Sequence, residues 1–121
     1  MTIFSNQKYI ALETFRQNGI AVKTPVWFVE YDGLIWVVTR KFTGKVKRIK
    51  NNSKVRIALS NFLGIPKERW ITGNAQIIEG NLAPKIISLR NKKYGLLAKL
   101  IGVFSAKKGG YIIFSIKLDD C

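Results

Sequence analysis

Two turn sequences, Gln17-Asn18-Gly19 and Tyr31-Asp32-Gly33, constrain the fold of this chain more than any other feature. Each separates stretches that are rich in β-branched and aromatic residues. Asn-Gly and Asp-Gly are the favoured two-residue loops of β-hairpins, because both central positions need a positive φ angle. The sequence therefore predicts a meander of three antiparallel strands, which are Tyr9–Phe15, Ile20–Val29 and Leu34–Thr39.

The remainder of the chain adds three strands and helical segments to this meander. The predicted strands are Lys54–Ser60, Trp70–Glu79 and Tyr111–Leu118, and the predicted helices are Gly44–Asn51 and a stretch that starts at Pro84. The apolar face of the second helix continues to Ile101, with a break near Gly95. Six strands joined mostly by short turns predict an α+β fold, a closed or split β-barrel in one domain that spans residues 1–121.

Two residues within the predicted strands have positional meaning. Pro25 has no N–H, which places its strand at an edge, at a bulge or beside something other than a strand. Gly73 indicates a bulge or a close approach of another backbone.

The densest charge lies in residues 39–56, which hold eight basic residues and no acid. The predicted helix begins there after Thr43, its predicted N-cap, and its first turn holds Lys45, Lys47 and Arg48. The unpaired N–H groups of a first turn already carry partial positive charge, so Asp or Glu is usual at this place. Such self-repulsion indicates a bound anion, and phosphate fits the donors present. A solvated basic helix face is the alternative.

Composition excludes several kinds of chemistry. The chain has no His, so it has no His-based triad, no imidazole acid–base catalyst and no His metal ligand. Its seven acidic residues are scattered, so no metal site and no catalytic residue is identified. An enzyme of this composition needs a bound cofactor to carry the chemistry. The net charge of +14 favours an anionic partner, which includes nucleic acid, anionic lipid and anionic small molecules.

Composition and sequence pattern also indicate where the protein is located. A hydrophobic content of 47% excludes a disordered basic tail. No apolar run reaches the ~20 residues that a membrane-spanning helix needs, and the first residues lack a signal-peptide pattern. The single cysteine, Cys121, fits a reducing environment. We therefore expect a cytoplasmic protein that does not enter the membrane.

Short motifs follow one another along the chain in an order that resembles a known family. They are Tyr9–Arg16, Val22–Phe28, Thr39-Arg40, Gly44–Ile49, Lys54–Arg56, Gly73–Ala75 and Lys93–Leu96. Together they resemble the pyridoxamine-phosphate-oxidase-like split-barrel superfamily. They are most similar to its branch of small oxidoreductases that depend on a deazaflavin, coenzyme F-420. The segment Leu59–Ile65 departs from the pattern of that branch, so a substrate cannot be inferred from the resemblance.

The resemblance implies a six-stranded antiparallel split barrel of the FMN-binding type, with two or three helices. It also implies a homodimer with two cofactor sites at the subunit interface. Phosphate binding is implied for Thr39, Lys45, Lys47 and Arg48, and the strand Thr24–Phe28 is expected to run along the ring system. The full set of predicted cofactor-binding residues is Pro25, Val26, Trp27, Thr39, Arg40, Lys45, Val46, Lys47 and Arg48.

The function that this resemblance implies is hydride transfer between a bound deazaflavin and a small organic substrate. FMN is the alternative cofactor, in an FMN-dependent oxidase or reductase or in a flavin carrier without turnover. The superfamily also contains haem-binding members. A nucleic-acid-binding β-barrel is the alternative from a different class, although the densest basic residues lie at a helix start rather than on one face of a sheet.

Overall fold

The computed structural model describes residues 7–40, 43–79, 81–95 and 111–119. Within them the chain forms seven strands and two helices. In chain order these are β1 (Ile10–Phe15), β2 (Ala21–Val26), β3 (Val29–Tyr31), β4 (Leu34–Arg40), α1 (Gly44–Asn51), β5 (Lys54–Leu59), β6 (Ile71–Ile78), α2 (Leu82–Tyr94) and β7 (Tyr111–Leu118). The predicted continuation of the second helix to Ile101 lies outside the described residues, as does Cys121.

The prediction of six strands is wrong, because the predicted strand Ile20–Val29 is two strands in the structure. β2 ends at Val26, and β3 begins at Val29 after the linking residues Trp27 and Phe28. Both strands are rich in residues that favour β structure, so propensity alone cannot show where the chain leaves one strand and enters the next.

All strands belong to one antiparallel sheet, whose order is β2-β1-β5-β6-β7-β4-β3. The two edge strands, β2 and β3, are consecutive in the chain and are joined by only Trp27 and Phe28. Such a short link requires the two edges to lie close together, so the sheet curls into a half-barrel. β2 is an edge strand, which confirms the first of the three alternatives predicted for Pro25.

The two predicted hairpin turns differ in the structure. Asp32 and Gly33 have φ angles of 55° and 75° between the paired residues Tyr31 and Leu34, which confirms a two-residue loop. At the first turn the N–H of Arg16 donates to the carbonyl of Ile20, and Gly19 (φ 87°) has the positive angle. This three-residue loop corrects the two-residue prediction. Asn18 contributes its side chain instead, whose Oδ1 accepts a hydrogen bond from the Ile20 N–H at 3.1 Å.

Alternate residues of the sheet face two apolar clusters. The inner cluster lies within the curl and contains Ile35 and Val37 of β4 together with Ile49 of α1. The outer cluster lies beneath α2, where Ile86 packs against Trp36. Full burial of side chains of this size contributes about 1.5–3 kcal/mol each. α1 is thus fixed against the inner side of the sheet and α2 against its outer side, and Val46 and Ile49 are the buried residues of α1.

Two glycine predictions are confirmed. A Cβ at Gly73 would lie 2.7 Å from the carbonyl oxygen of Lys117, so β6 and β7 approach closely there. α2 ends at Tyr94, and Gly95 caps it with a φ angle of 63°. The predicted break near Gly95 is therefore the end of the helix.

Candidate functional site

The start of α1 is built as the sequence predicts. Thr43 has an extended backbone, and its Oγ1 accepts a hydrogen bond from the Val46 N–H at 3.4 Å. The first turn contains no acidic residue. Thr43 caps only part of this turn. The helix itself carries no carboxylate, so the positive charge at its N-terminal end is not balanced within the helix.

Arg48 folds back over this first turn and is anchored to the sheet. Its Nε donates a hydrogen bond to Oγ1 of the buried Thr14 on β1 at 2.6 Å. A Cβ placed on Gly44 would lie 2.7 Å from Nη1 of Arg48. Gly44 therefore leaves the space in which the guanidinium lies, so the glycine at the helix start is part of the site.

A groove of about 480 Å³ opens between α1 and the β1–β2 loop. Its lining residues are Arg16, Gln17, Asn18, Gly44, Lys47, Arg48 and Asn51. They include three cationic and three amide side chains and no carboxylate, and cationic and amide N–H groups are donors to phosphate oxygens. We refer to this feature as the α1 groove.

Titration of the basic residues reflects their crowding. Burial lowers the pKa of Lys45, and the nearby charges of Arg48 and Arg40 lower it further. Burial also lowers the pKa of Arg48, with a further contribution from Arg16. Each cation is therefore less stable in its charged form than in water, and a bound anion would relieve all of these effects together. The donor set and its electrostatics fit the phosphate of a nucleotide-type cofactor.

The predicted phosphate residues fall into different places. Lys47 and Arg48 line the α1 groove, whereas Lys45 is half-buried beside it, within electrostatic reach of Arg48 and Arg40. Thr39 is buried, and the alternation along β4 points it to the inner face and Arg40 to the outer face. The side chain of Val46 belongs to the core.

The predicted ring-binding residues lie at the end of the edge strand β2. Pro25 is exposed, Val26 is buried and Trp27 is half-buried. The backbone of Gly64 packs against Pro25, since a Cβ there would lie 3.2 Å from the proline Cδ. The indole of Trp27 stacks on the ring of Tyr94 with centroids 4.2 Å apart and planes at 5°. One face of the Trp27 ring is therefore covered by the chain itself.

The end of α2 holds the link between the two sheet edges. Lys93 Nζ donates to the carbonyl of Phe28 at 2.9 Å and lies 3.6 Å from the centroid of the Phe28 ring. The hydroxyl of Tyr94 accepts from the Phe28 N–H at 3.0 Å and lies 2.7 Å from the carbonyl of Lys8. Burial lowers the pKa of Lys93 to about 8, partly offset by Glu30, and burial raises the pKa of Tyr94 to about 12.

Three of these residues were not assigned to the site from the sequence. Arg16 follows a strand, and no periodicity connects it to a helix that begins at Gly44. Lys93 and Tyr94 belong to a motif that carries the family resemblance, but neither is among the predicted cofactor-binding residues. Only the tertiary contacts bring them to the Trp27–Phe28 link.

The described ranges show neither a metal-binding cluster nor a membrane-spanning helix. Those residues contain no cluster of three or more His, Cys, Asp and Glu side chains that could hold a metal ion. No helix in the same part of the chain is long and apolar enough to cross a membrane.

Several solved structures, of proteins with different names, share this fold. The heme storage protein HutZ from Vibrio cholerae superimposes with a TM-score of 0.73 at 14% identity, over 94% of this chain and 83% of that one. A FAD-binding protein from Mesorhizobium loti gives 0.65 at 13% identity, over 98% and 84%. A candidate pyridoxamine 5′-phosphate oxidase from Listeria innocua gives 0.64 at 11% identity, over 98% and 89%.

These likenesses show that the chain shares the split-barrel fold of these proteins. No protein-family model and no curated protein matches the sequence significantly.

Proposed function

We propose that this protein is an oxidoreductase that binds a deazaflavin, coenzyme F-420, through its phosphate in the α1 groove. The observation that carries the proposal is the convergence of Arg16, Lys47 and Arg48 on one groove without a carboxylate among its lining residues. The names of proteins with the same fold, which include heme storage, FAD binding and pyridoxamine 5′-phosphate oxidation, support a cofactor-binding role. FMN is the alternative cofactor at the same site.

The bound deazaflavin or flavin supplies hydride chemistry. In the α1 groove, Lys47, Arg48 and Arg16 hold the phosphate by charge-assisted hydrogen bonds, which fixes one end of the ligand. β2 leads from the β1–β2 loop beside this groove to Pro25 and Trp27. Among the described strands, its edge position leaves one of its sides unpaired. The rigid stack of Trp27 on Tyr94 then fixes the position of the indole.

Lys93 is the side chain near this strand that is best suited to hold or release a proton. Its Nζ lies at the Phe28 carbonyl, and its pKa of about 8 makes both protonation states accessible near neutral pH. The pKa of Tyr94, about 12, keeps that hydroxyl protonated. Lys93 is thus our candidate proton donor to a substrate that accepts hydride.

We further propose that the protein is a cytoplasmic homodimer whose cofactor site lies at the subunit interface. Phe62, Leu63 and Ile65 are 65%, 64% and 56% exposed on the loop between β5 and β6. Asn61 fixes this loop, because its Oδ1 accepts hydrogen bonds from the N–H groups of Leu63 and Ile65. The Gly64 backbone of the same loop packs on Pro25, so an interface formed here lies next to the proposed ring strand.

Titration of coenzyme F-420 into the protein tests the cofactor proposal, with intrinsic deazaflavin fluorescence as the readout and FMN as competitor. Lys47→Ala removes a cation that lines the α1 groove, whereas Lys50→Ala removes an exposed cation from the same helix outside it. We expect Lys47→Ala to weaken binding by about 1.5–3 kcal/mol, the scale of a hydrogen bond to a charged group. Lys50→Ala should change it little.

The outcomes separate the alternatives. Saturable binding of one F-420 per subunit that FMN does not displace supports the deazaflavin proposal. Displacement of F-420 by FMN would instead identify a flavin as the cofactor of this site. Equal losses in Lys47→Ala and Lys50→Ala would show a diffuse field rather than a site. Binding of single-stranded oligonucleotide in place of either cofactor, with a steep salt dependence, would contradict the proposal and favour nucleic acid.

A further inference from the structure

Arg90 on α2 is a second cation of interest, because it is buried without a charged partner among the described residues. Its side chain is only 8% exposed, and its Nε is enclosed without a hydrogen-bond partner. Within the described residues its guanidinium donates one hydrogen bond, from Nη2 to Oδ1 of Asn91 at 3.2 Å. The described part of the chain has one ion pair, between Arg56 and Glu13, so no carboxylate there neutralises Arg90.

Arg90 and a second arginine, Arg40, both neighbour Tyr111 at the end of the sheet. Its guanidinium carbon is 5.2 Å from the ring centroid of Tyr111, the first residue of β7. Tyr111 is opposite Arg40 in the register of β4 and β7, and opposed residues of antiparallel strands point to the same face. Arg40 and Arg90 therefore flank Tyr111 on the outer face of the sheet.

The energetics of this arrangement call for an anion. Leaving a buried charge without its partner is strongly destabilising. A cation–π contact such as that with Tyr111 offsets only part of this cost, and the neutral amide of Asn91 cannot balance a charge. A guanidinium presents its N–H groups in a planar fork that matches a carboxylate or phosphate. The Nε–H, which has no acceptor among the described residues, is one branch of that fork.

We propose that Arg90 and Arg40 form a second anion-binding site, which takes a carboxylate or phosphate group of a small molecule. It is distinct from the α1 groove, whose lining residues come from the β1–β2 loop and α1. The group is supplied either by the substrate or by a second anionic part of the cofactor. The proposal does not depend on the cofactor assigned above, because the site is defined by its own residues.

The first test measures anion binding directly at Arg90. The Nε–H resonance of Arg90, assigned in the 15N spectrum by its loss in Arg90→Met, is followed while glutarate or inorganic phosphate is added at constant ionic strength. These titrations use the Lys47→Ala protein, in which the α1 groove is weakened. A saturable downfield shift of the Nε–H is expected, since this donor gains an acceptor. An unchanged resonance at saturating anion would overturn the proposal.

The second test compares thermal unfolding of the Lys47→Ala protein with Arg90→Met and Lys92→Met added to it separately. Lys92 is exposed on the same helix and has the same charge, so Lys92→Met is the control. We expect Arg90→Met to unfold at the same or a higher temperature without anion, because it removes an unpaired buried charge. The apparent affinity for glutarate should fall about tenfold or more, as for loss of a charge-assisted contact.

The results also show whether the substrate or the cofactor supplies the anionic group that binds at Arg90. If glutarate still stabilises the protein when it is saturated with F-420, the site serves a separate ligand, as a substrate carboxylate would require. If the cofactor excludes glutarate, the cofactor itself supplies the anion. A destabilised Arg90→Met with undiminished anion response, or an equal loss of affinity in Lys92→Met, would show that Arg90 is structural.

Discussion

At the scale of single residues, Gly44 determines where Arg48 can lie. Its φ angle is not positive, so alanine fits the backbone, but the added Cβ would lie 2.7 Å from Nη1 of Arg48. Replacing a helical glycine by alanine raises stability by about 0.5–1 kcal/mol. We therefore expect Gly44→Ala to be slightly more stable and to bind F-420 about 1 kcal/mol more weakly, less than a full charged hydrogen bond of about 1.5–3 kcal/mol.

Chemical denaturation and the F-420 titration measure the two effects of Gly44→Ala separately. Asn51→Ala is the control variant, because Asn51 lines the same groove but contributes no charge to it. If Gly44→Ala gains stability and keeps its full affinity, the position of the Arg48 guanidinium does not matter for the cofactor.

Lys93 makes stability depend on pH. Its pKa falls from 10.5 to about 8 on folding because burial disfavours the ammonium, so the unfolded chain binds more protons between these values. Its contribution to the free energy of unfolding should therefore rise as pH increases from about 8 to about 10. Urea denaturation across this range, compared between wild type and Lys93→Met, measures it.

The control for this titration is Lys92→Met, which removes an exposed neighbour on the same helix. Glu30 on β3 and Tyr94 on α2 also act on this region, but the Tyr94 hydroxyl titrates well above the window, at about 12. A Lys93→Met protein with the same pH slope as wild type would contradict the assignment.

At the scale of elements, the sequence predicted the turns and caps that depend only on neighbouring residues. Asp32-Gly33 forms its two-residue turn and Thr43 caps α1, because both features depend on a few neighbouring residues. The division of Ile20–Val29 into β2 and β3 was missed, since it depends on which strand each half pairs with. β2 pairs with β1 at one edge of the sheet and β3 with β4 at the other, and neither partner is marked in the sequence of the segment itself.

The end of α2 is the element that holds this division in place. The Tyr94 hydroxyl accepts from the Phe28 N–H and lies 2.7 Å from the Lys8 carbonyl, while its ring stacks on Trp27. Tyr94→Phe keeps the stack and removes the hydroxyl, so we expect a loss of about 1–2 kcal/mol in stability. Tyr31→Phe, at an exposed tyrosine, should change it little. Equal stability of Tyr94→Phe and wild type in urea would show that the stack alone holds the link.

At the scale of the whole molecule, the candidate site was only partly predictable. Lys47 and Arg48 follow from the helix start, where charge and secondary structure are both local signals. Arg16 joins them because β1 packs on α1, an arrangement seen in the Arg48–Thr14 hydrogen bond. Arg90 was part of a basic stretch in the sequence, and only its burial distinguishes it from its solvated neighbours. Charge is visible in a sequence, whereas burial and pairing belong to the fold.

The proposed dimer gives the last prediction. A loop that is fixed by Asn61 and presents Phe62, Leu63 and Ile65 to solvent gains stability by burying them against a second copy, at about 1.5–3 kcal/mol for each side chain that becomes fully buried. Sedimentation equilibrium should find the wild type dimeric at micromolar concentration and the Phe62→Ser/Leu63→Ser variant largely monomeric with unchanged circular dichroism. Ile20→Ser, at an apolar residue that is 55% exposed on the β1–β2 loop, should remain dimeric. Because this loop packs on Pro25, the monomeric variant should also bind F-420 more weakly, and full affinity in a monomer would place the cofactor site within one subunit.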